Sequence, residues 1–279
     1  WLEIKSYLWW FHAISSLIFI AVIPTTKMFH PITALLNIAL TNRKMRGNLR
    51  PMNVSLFITC LTDTFYPRSG IAVVKVLEHL GCEVVFPKAQ TCCGQPVYNS
   101  GFTHQARMLA QRVLQTFQDC RYVVVPSGSC TAMMRVFYQD LFRHDSTLLG
   151  QAQELSSKVY EFSEYLVKVL RVEDVGSGYS GTATYHPSCH LLREVEVREE
   201  PLKLLGRVEG LELRELPQAE TCCGFGGTFA IKFPHISEAM LSDKVANVMS
   251  TGADTLVSCD MGCLMHIEGA LSRQGAAVR

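Results

Sequence analysis

The feature that most constrains the fold is a cysteine motif that occurs twice at nearly constant spacing. The letters TCCG occupy residues 91–94 and again residues 221–224, and each copy has a cysteine before it and after it. Separations of 129, 130 and 133 residues relate three pairs of cysteines: Cys60 and Cys189, Cys92 and Cys222, Cys130 and Cys263. Such constancy across three landmarks predicts two copies of one folding unit.

The segments between the cysteines alternate between apolar runs and amphipathic stretches. In the first copy, strands are predicted at 54–60, 82–87 and 121–130, and helices at 69–80 and 101–118. In the second copy, residues 181–189 and 253–263 correspond to the first and third of these strands. Strands joined by helical crossovers run parallel, which predicts a layered sheet with its site at the carboxyl ends of the strands.

We therefore predict the fold class α/β, with two tandem βαβ-type parallel-sheet repeats that each carry a CCG cysteine loop and are preceded by one hydrophobic helix. The domains are expected at residues 1–50 (hydrophobic helix and basic connector), 51–175 (first repeat) and 176–279 (second repeat). An aromatic-rich helix is predicted over 159–170, and the Gly/Ser run at 176–181 is expected to be the linker.

Charge and cysteine count narrow the class of function. The formal net charge is +1 with no strongly basic stripe, so nucleic acid is not an expected partner. The chain has 279 residues and eleven cysteines, an odd number, and nothing in it resembles a cleaved secretory signal. These observations disfavour a disulfide framework and favour metal or redox use in a reducing compartment.

The adjacent cysteines indicate a metal site. Neighbouring side chains diverge on a strand or a helix, so both thiols reach one object only from an irregular loop, which glycine permits. Zinc accepts four thiolates but usually takes them in C-x2-C pairs, whereas the several iron atoms of an iron–sulfur cluster give neighbouring thiolates separate partners. The candidate metal and cofactor ligands are Cys60, Cys92, Cys93 and Cys130 in the first copy, and Cys189, Cys222, Cys223, Cys259 and Cys263 in the second.

Three stretches carry a family resemblance: CLTDTFYPRSGIAVVKVLEHLGCEVVFPKAQTCCGQP, YHPSCHLLRE and SCDMGCLMHIEG. Residues 53–273 resemble the CCG-type cysteine-rich-domain family, which includes the cysteine-rich component of heterodisulfide reductase and the iron–sulfur components of glycolate oxidase and anaerobic glycerol-3-phosphate dehydrogenase. The likeness is greatest to lactate-utilisation members. It implies an iron–sulfur electron-transfer subunit that acts beside two partner proteins in oxidising L-lactate to pyruvate.

Other functions remain open at this stage. The resemblance also allows a heterodisulfide reductase-like role or an iron–sulfur subunit of a glycolate or glycerol-3-phosphate oxidase, and the cysteines alone allow a zinc-binding structural module. No flavin fingerprint, phosphate loop or Ser/His/Asp set is evident, so no catalytic residue is assigned.

The sequence departs from the family pattern in its cysteine number. In the cysteine-rich component of heterodisulfide reductase, each copy has five cysteines around a non-cubane cluster. Here the second copy has five, with C-x3-C spacing at Cys259 and Cys263, and the first has four because Pro126 stands where Cys259 stands. The resemblance thus implies one or two iron–sulfur clusters, with a non-cubane [4Fe–4S] cluster in the second repeat. The ferredoxin-type cysteine run of membrane-linked members is absent, which predicts a truncated or fused gene near residue 50.

The N-terminal residues favour a membrane helix. Residues 7–23 are almost wholly apolar with Trp9 and Trp10 near one end, and basic residues follow at the distance typical of the cytoplasmic side. We expect this helix to anchor an otherwise cytoplasmic protein, with a buried core helix as the alternative. His12 and His30 resemble those of the last membrane helix of a nitrate reductase gamma-type cytochrome b. Haem b is not expected from this chain alone, because the opposing histidines would have to come from another helix.

The remaining thiols and histidines have weaker interpretations. Cys82 and Cys120 lie outside both constellations and are interpreted as buried structural thiols. His186, His190 and His266 are either hydrogen-bond donors to a cluster sulfur or loop histidines with no such role. The run FGGTF at 225–229 is either a flexible approach for a substrate or partner, or a plain turn.

Overall fold

The structure is a computed structural model that describes residues 52–278. Residues 51–279 form one compact unit. The predicted membrane helix at 7–23 and the cytochrome-like histidines lie outside the described residues. Within the described range, every helix is too short or too polar to cross a bilayer.

Two parallel sheets organise this unit. The first has four strands in the order β2-β1-β3-β4: β1 Met52–Leu56, β2 Cys82–Val85, β3 Val123–Val125 and β4 Val159–Glu161. The second has three strands in the order β6-β5-β7: β5 Gly178–His186, β6 Glu209–Arg214 and β7 Thr255–Ser258. All the pairings are parallel, which confirms the predicted α/β class with two parallel-sheet repeats.

Helices connect and cover the strands. Those of the first half are α1 Cys60–Phe65, α2 Pro67–His79, α3 Gln95–Asn99, α4 Thr103–Phe117, α5 Gly128–Ala132, α6 Tyr138–Phe142, α7 Ser146–Lys158 and α8 Phe162–Glu164. Those of the second half are α9 Cys189–Arg193, α10 Glu199–Leu205, α11 Phe229–Lys232, α12 Pro234–Ser250 and α13 Met261–Arg273. Two π-helical turns, Met133–Phe137 and Tyr165–Val169, follow α5 and α8.

The helices that follow the two CCG loops bury one face each. In α4 the buried residues recur at helical spacing and are all apolar: Ala106, Ala110, Val113, Leu114 and Phe117. In α12 the buried face contains Leu241, Val245 and Val248, but also Lys244. The two otherwise similar helices therefore present different side chains to the interior.

Several predicted segments differ from the structure. The strands expected over 54–60 and 181–189 stop at Leu56 and His186, before the caps of the next helices. The strand expected over 121–130 stops at Val125, because the Ser127 hydroxyl caps the next helix by accepting from the Cys130 N–H. The helix expected over 159–170 starts only at Phe162, since Val159 pairs with Val123 in the sheet. The linker expected at 176–181 is already strand from Gly178 onward, where β5 pairs with β6. A helix cap sets the end of the strand expected over 121–130, and pairing with neighbouring strands sets the conformation of the segments at 159–170 and 176–181.

The two halves meet through the loops that follow β3 and β7. Asp260 Oδ2 accepts hydrogen bonds from the Ser127 hydroxyl at 3.0 Å and from the Ser129 N–H at 2.8 Å. The Gly128 N–H donates to the Cys259 carbonyl at 3.0 Å. A Cβ on Gly128 would lie 2.5 Å from Leu191 Cβ, so α5 approaches α9 as closely as glycine allows. The segments that carry the cysteines thus also form the interface.

Candidate metal centre

The first cysteine of each set opens a short helix after a central strand. Thr59 follows β1 and caps α1, whose first residue is Cys60. Ser188 follows β5 and caps α9, whose first residue is Cys189. Both cap hydroxyls accept a backbone N–H three residues later, the usual N-cap contact. The two thiols are therefore placed by the same local device at the carboxyl ends of equivalent strands.

The glycine of each CCG motif explains why the motif is irregular. Gly94 has φ +88° and Gly224 has φ +85°, in the left-handed region that glycine adopts without strain. This turn directs the Gly94 N–H to Cys92 Sγ and the Gly224 N–H to Cys222 Sγ, both at 3.4 Å. The paired thiols can consequently point into the same space, as neither a strand nor a helix would allow.

Four thiols converge in the first half. Cys60 Sγ lies 3.9 Å from Cys92 Sγ, and Cys93 Sγ lies 3.1 Å from Cys130 Sγ. Cys60 is exposed, whereas Cys93 and Cys130 are buried. The buried Tyr138 hydroxyl donates a hydrogen bond to the Cys93 carbonyl at 2.8 Å, which holds the CCG loop against the core.

The second half repeats this arrangement. Cys189 Sγ lies 3.8 Å from Cys222 Sγ. Cys223 Sγ, Cys263 Sγ and a ring nitrogen of His186 all lie within 4.8 Å of one another, and all three residues are buried. Each half therefore brings its own four cysteines together, at equivalent positions of the two repeats.

The thiols of each pair differ in acidity. Hydrogen bonds from Cys60 and Cys93 lower the pKa of Cys92 to about 3, and hydrogen bonds from Cys189 and Cys223 lower the pKa of Cys222 to about 2. In Cys93 the hydrogen bond to Cys130 raises the pKa. Within each set the hydrogen bonds between thiols therefore favour the thiolate on Cys92 and on Cys222, and a metal ion would displace the remaining protons.

Both sets open into one cavity of about 500 Å³. Cys60, Cys93 and Cys130 line it from the first half, and Cys189, Cys222, Cys223 and Cys263 line it from the second. The loops after the CCG motifs close part of it, where Gly227 approaches Pro96. The FGGTF run therefore forms a wall of the cavity through Phe225, Gly226, Gly227 and Phe229.

Cys259 is placed differently from the other eight candidate ligands. Its Sγ accepts a hydrogen bond from the Tyr185 hydroxyl at 3.6 Å, and its side chain packs on an apolar cluster at the interface of the halves: Ala132, Leu191, Val195 and Val197. Like Cys92, it is not among the residues that line the cavity. Burial raises the pKa of its thiol. Sequence reasoning grouped Cys259 with Cys263. In the structure the Cys259 thiol has the Tyr185 hydroxyl as a hydrogen-bond partner, whereas the Cys263 thiol lies near Cys223 and His186.

Two buried basic side chains accompany the second set. His186 is 0% exposed, and neither of its ring nitrogens has a hydrogen-bond partner among the described residues. Burial, and next the charge of Lys244, lower its pKa to about 3, so the ring is neutral. The Lys244 ammonium donates to the Gln218 and Ala219 carbonyls at 3.1 and 3.0 Å, just before the CCG motif. Sequence reasoning missed Lys244. The signal that could have found it is a lysine among the apolar residues on the buried face of α12.

The other singled-out residues lie at the edge of the site or away from it. His190 lines the cavity, while His266 contacts the Ser237 hydroxyl at 3.2 Å. Cys82 is buried in the first half, and the Ser55 hydroxyl donates to Cys120 Sγ at 2.9 Å. Neither thiol lines the cavity.

The donor set fits an iron–sulfur centre better than isolated zinc sites. Adjacent thiols from one loop meet thiols from two further loops, which supplies separate ligands for several metal atoms. Zinc sites rarely use neighbouring ligands of this kind. A buried imidazole without a hydrogen-bond partner beside two thiols also fits a site whose side chains are arranged to bind a metal.

Comparison with known proteins identifies the class to which the chain belongs. The family model for the CCG cysteine-rich domain matches residues 54–135 and 183–268, more than half of the chain. The chain belongs to the CCG cysteine-rich-domain family, and the two matches coincide with the two cysteine sets.

Particular relatives are similar over most of their length. Lactate utilization protein A of Bacillus subtilis (strain 168) is 51% identical over 228 residues, which cover 82% of this chain and 95% of that protein. The proteins of the same name from Geobacillus thermodenitrificans (strain NG80-2) and Shouchella clausii (strain KSM-K16) are each 50% identical, over 82% and 81% of this chain and 95% of their own lengths. These matches confirm the resemblance drawn from the sequence.

Proposed function

We propose that this chain is an iron–sulfur subunit that transfers electrons in the oxidation of L-lactate to pyruvate, together with partner proteins. The observation that carries the proposal is that three thiols of the first set and all four of the second line a single cavity. Its lactate specificity rests on the similarity to Lactate utilization protein A. Oxidising lactate to pyruvate releases two electrons and two protons, and a partner would perform that step.

The residues of the chain would hold and tune the metal centres. Cys60, Cys92, Cys93 and Cys130 would bind one centre, and Cys189, Cys222, Cys223 and Cys263 the other. Iron–sulfur clusters bound there would accept and release single electrons. The Gly94 and Gly224 N–H groups orient one sulfur in each set, and hydrogen bonds to ligand sulfurs raise the reduction potential.

Metal analysis tests the cofactor. The full chain, purified without oxygen, is expected to be brown and to contain several iron atoms and sulfides per chain. Cys82→Ser is the matched control and should keep this content, because Cys82 lies outside the cavity. Stoichiometric zinc with negligible iron and sulfide would replace the proposal by a structural zinc module.

Substrate assays distinguish electron transfer from chemistry at the site. The isolated chain is expected to turn over neither lactate, glycolate nor disulfides, but to be reduced by lactate once the partner proteins are added. Turnover of a disulfide without partners would favour a heterodisulfide reductase-like activity, for which the cavity between the two thiol sets is the supporting observation. Reduction by glycolate or glycerol 3-phosphate, but not lactate, would move the chain to the other oxidase systems.

The two sets are expected to contribute unequally to this function. The second set has the neighbouring basic side chains and the open glycine loop, so Cys223→Ser should abolish electron transfer in a chain that still folds. Cys93→Ser should instead lower the yield of folded protein, as loss of a structural metal site does. The reverse pattern would contradict this division of roles.

A further inference from the structure

His186 is a buried base without a visible role. It ends β5, three residues before Cys189, and its ring is fully buried. Both ring nitrogens lack hydrogen-bond partners among the described residues. A buried polar atom left unpaired destabilises the folded state, so such an atom in a folded protein calls for an explanation.

The surroundings of the ring point to a metal as its partner. A ring nitrogen lies within 4.8 Å of both Cys223 Sγ and Cys263 Sγ, which is the spacing expected of donors that share one centre. The nearby Lys244 ammonium is already engaged by the Gln218 and Ala219 carbonyls.

Cys259, the fifth cysteine of the second copy, is held elsewhere. Its carbonyl accepts from the Gly128 N–H, and the next residue, Asp260, is tied to Ser127 and Ser129 across the interface. Its thiol accepts a hydrogen bond from the Tyr185 hydroxyl at 3.6 Å.

The first half offers a natural comparison. Phe57 lies three residues before Cys60, as His186 lies three residues before Cys189, and it is equally buried. Phe57 packs in the apolar core beside Cys93 and has no atom that can bind a metal. The same position is therefore apolar in one copy and a nitrogen donor in the other.

We propose that His186 is the fifth protein donor of the second metal centre, so that four thiolates and one imidazole hold it while four thiolates alone hold the first. This inference rests on the proposed iron–sulfur function, because it requires metal in the second set. A nitrogen ligand in place of a thiolate raises the potential of an iron–sulfur centre. A thiolate in the place of this imidazole should therefore lower the reduction potential of the second centre.

Pulsed electron paramagnetic resonance on the reduced full chain, labelled with ¹⁵N-histidine, tests the assignment. The wild type should show one strongly coupled histidine nitrogen. His186→Phe, which installs the residue of the first half, should lose that coupling, whereas the control Cys259→Ala should keep both the coupling and the iron content. A weak coupling only, or a Cys259→Ala spectrum that changes while that of His186→Phe does not, would overturn the proposal.

A second variant covers the case in which His186→Phe does not fold. His186→Cys restores a metal donor, so it should retain iron and sulfide, lose the nitrogen coupling and shift the reduction potential of the second centre to a more negative value. Retention of the coupling in His186→Cys would also overturn the proposal. Absence of iron and sulfide from the wild type would contradict the proposed function itself, and metal analysis separates that failure from this one.

Discussion

The two halves of the molecule place four cysteines in the same way but surround them with different side chains. In both halves an N-cap hydroxyl, a left-handed glycine and a helix after the third strand position the thiols. Around the first set lie Phe57 and the wholly apolar face of α4, whereas His186 and Lys244 lie around the second. The backbone features that position the sulfurs are thus the same in the two halves, while the polarity of the surrounding side chains differs.

This difference teaches that repetition of a ligand pattern does not imply repetition of its chemistry. A buried ammonium and a buried imidazole beside thiolates favour electron uptake, while an apolar shell does not. The structural differences extend beyond the site, since only the first sheet has a fourth strand. Substitutions at matched residues of the two halves should therefore have unequal effects, the largest at the glycines of the CCG loops and the smallest beneath the first of those loops.

The CCG glycines should differ in their tolerance of alanine. Gly94→Ala should cost about 1–2 kcal/mol of unfolding free energy, because its φ of +88° strains an L-residue and its Cβ would meet only ordinary contacts from 3.5 Å. Gly224→Ala should cost about 2–5 kcal/mol, because its Cβ would also lie 2.7 Å from the Ser237 carbonyl oxygen. Denaturant unfolding of both variants measures the difference, and equal losses would contradict it.

The helix caps at the interface should also be unequal. Asp260→Ala should lower the unfolding free energy by about 2–4 kcal/mol, because it leaves donors on Ser127, Ser129 and Gly262 without their acceptor. Ser127→Ala, the corresponding cap of the first half, should cost only about 0.5–2 kcal/mol. Thermal unfolding at matched metal content compares them. A larger loss for Ser127→Ala would show that Ser127, and not Asp260, contributes more to the stability of the interface.

A pH dependence should arise from the strand that only the first half has. Burial raises the pKa of Glu161, at the end of β4, from 4.5 to about 7. The folded state therefore keeps a proton that the unfolded chain releases, so unfolding free energy should fall as pH rises from 4.5 to about 7, by about 3 kcal/mol in all. Glu161→Gln should flatten this slope. An unchanged slope in urea titrations across that range would refute the prediction.

The smallest effect concerns the support beneath the first CCG loop. Tyr138→Phe should cost about 1–2 kcal/mol, because it leaves the buried Cys93 carbonyl without the donor that lies 2.8 Å away. Helix α13 of the second half contains no tyrosine, so the first loop alone should loosen. Hydrogen exchange at residues 92–94 should accelerate while exchange at 222–224 stays unchanged. Faster exchange at both loops would mean that they move together.

Much of the fold followed from the sequence because its signals are local. The spacing of Cys60, Cys92 and Cys130 against their later counterparts predicts the repeat, and the apolar runs at 54–60 and 82–87 predict parallel strands. The convergence of the thiols was likewise predictable, since carboxyl ends of parallel strands share one edge of a sheet.

The remaining features depend on contacts that no local pattern contains. Val159–Glu161 resembles the start of a helix in sequence but becomes strand by pairing with β3. Cys259 has the spacing of a ligand, yet its thiol accepts a hydrogen bond from the Tyr185 hydroxyl, and its neighbour Asp260 is hydrogen-bonded to the other half. Placing the two copies side by side from their first cysteines would have aligned His186 with Phe57 and marked it as unusual.

The shared cavity has a consequence for the synthesis of the protein on the ribosome. Its walls come from residues as far apart as Thr59 and Cys263, so a ribosome must synthesise all of residues 59–263 before the cavity can form. During that time Cys60, Cys92, Cys93 and Cys130 emerge without the residues that later cover them. The first set is therefore most exposed to oxygen, and most accessible to a cofactor-delivery protein, while the second half is still being synthesised.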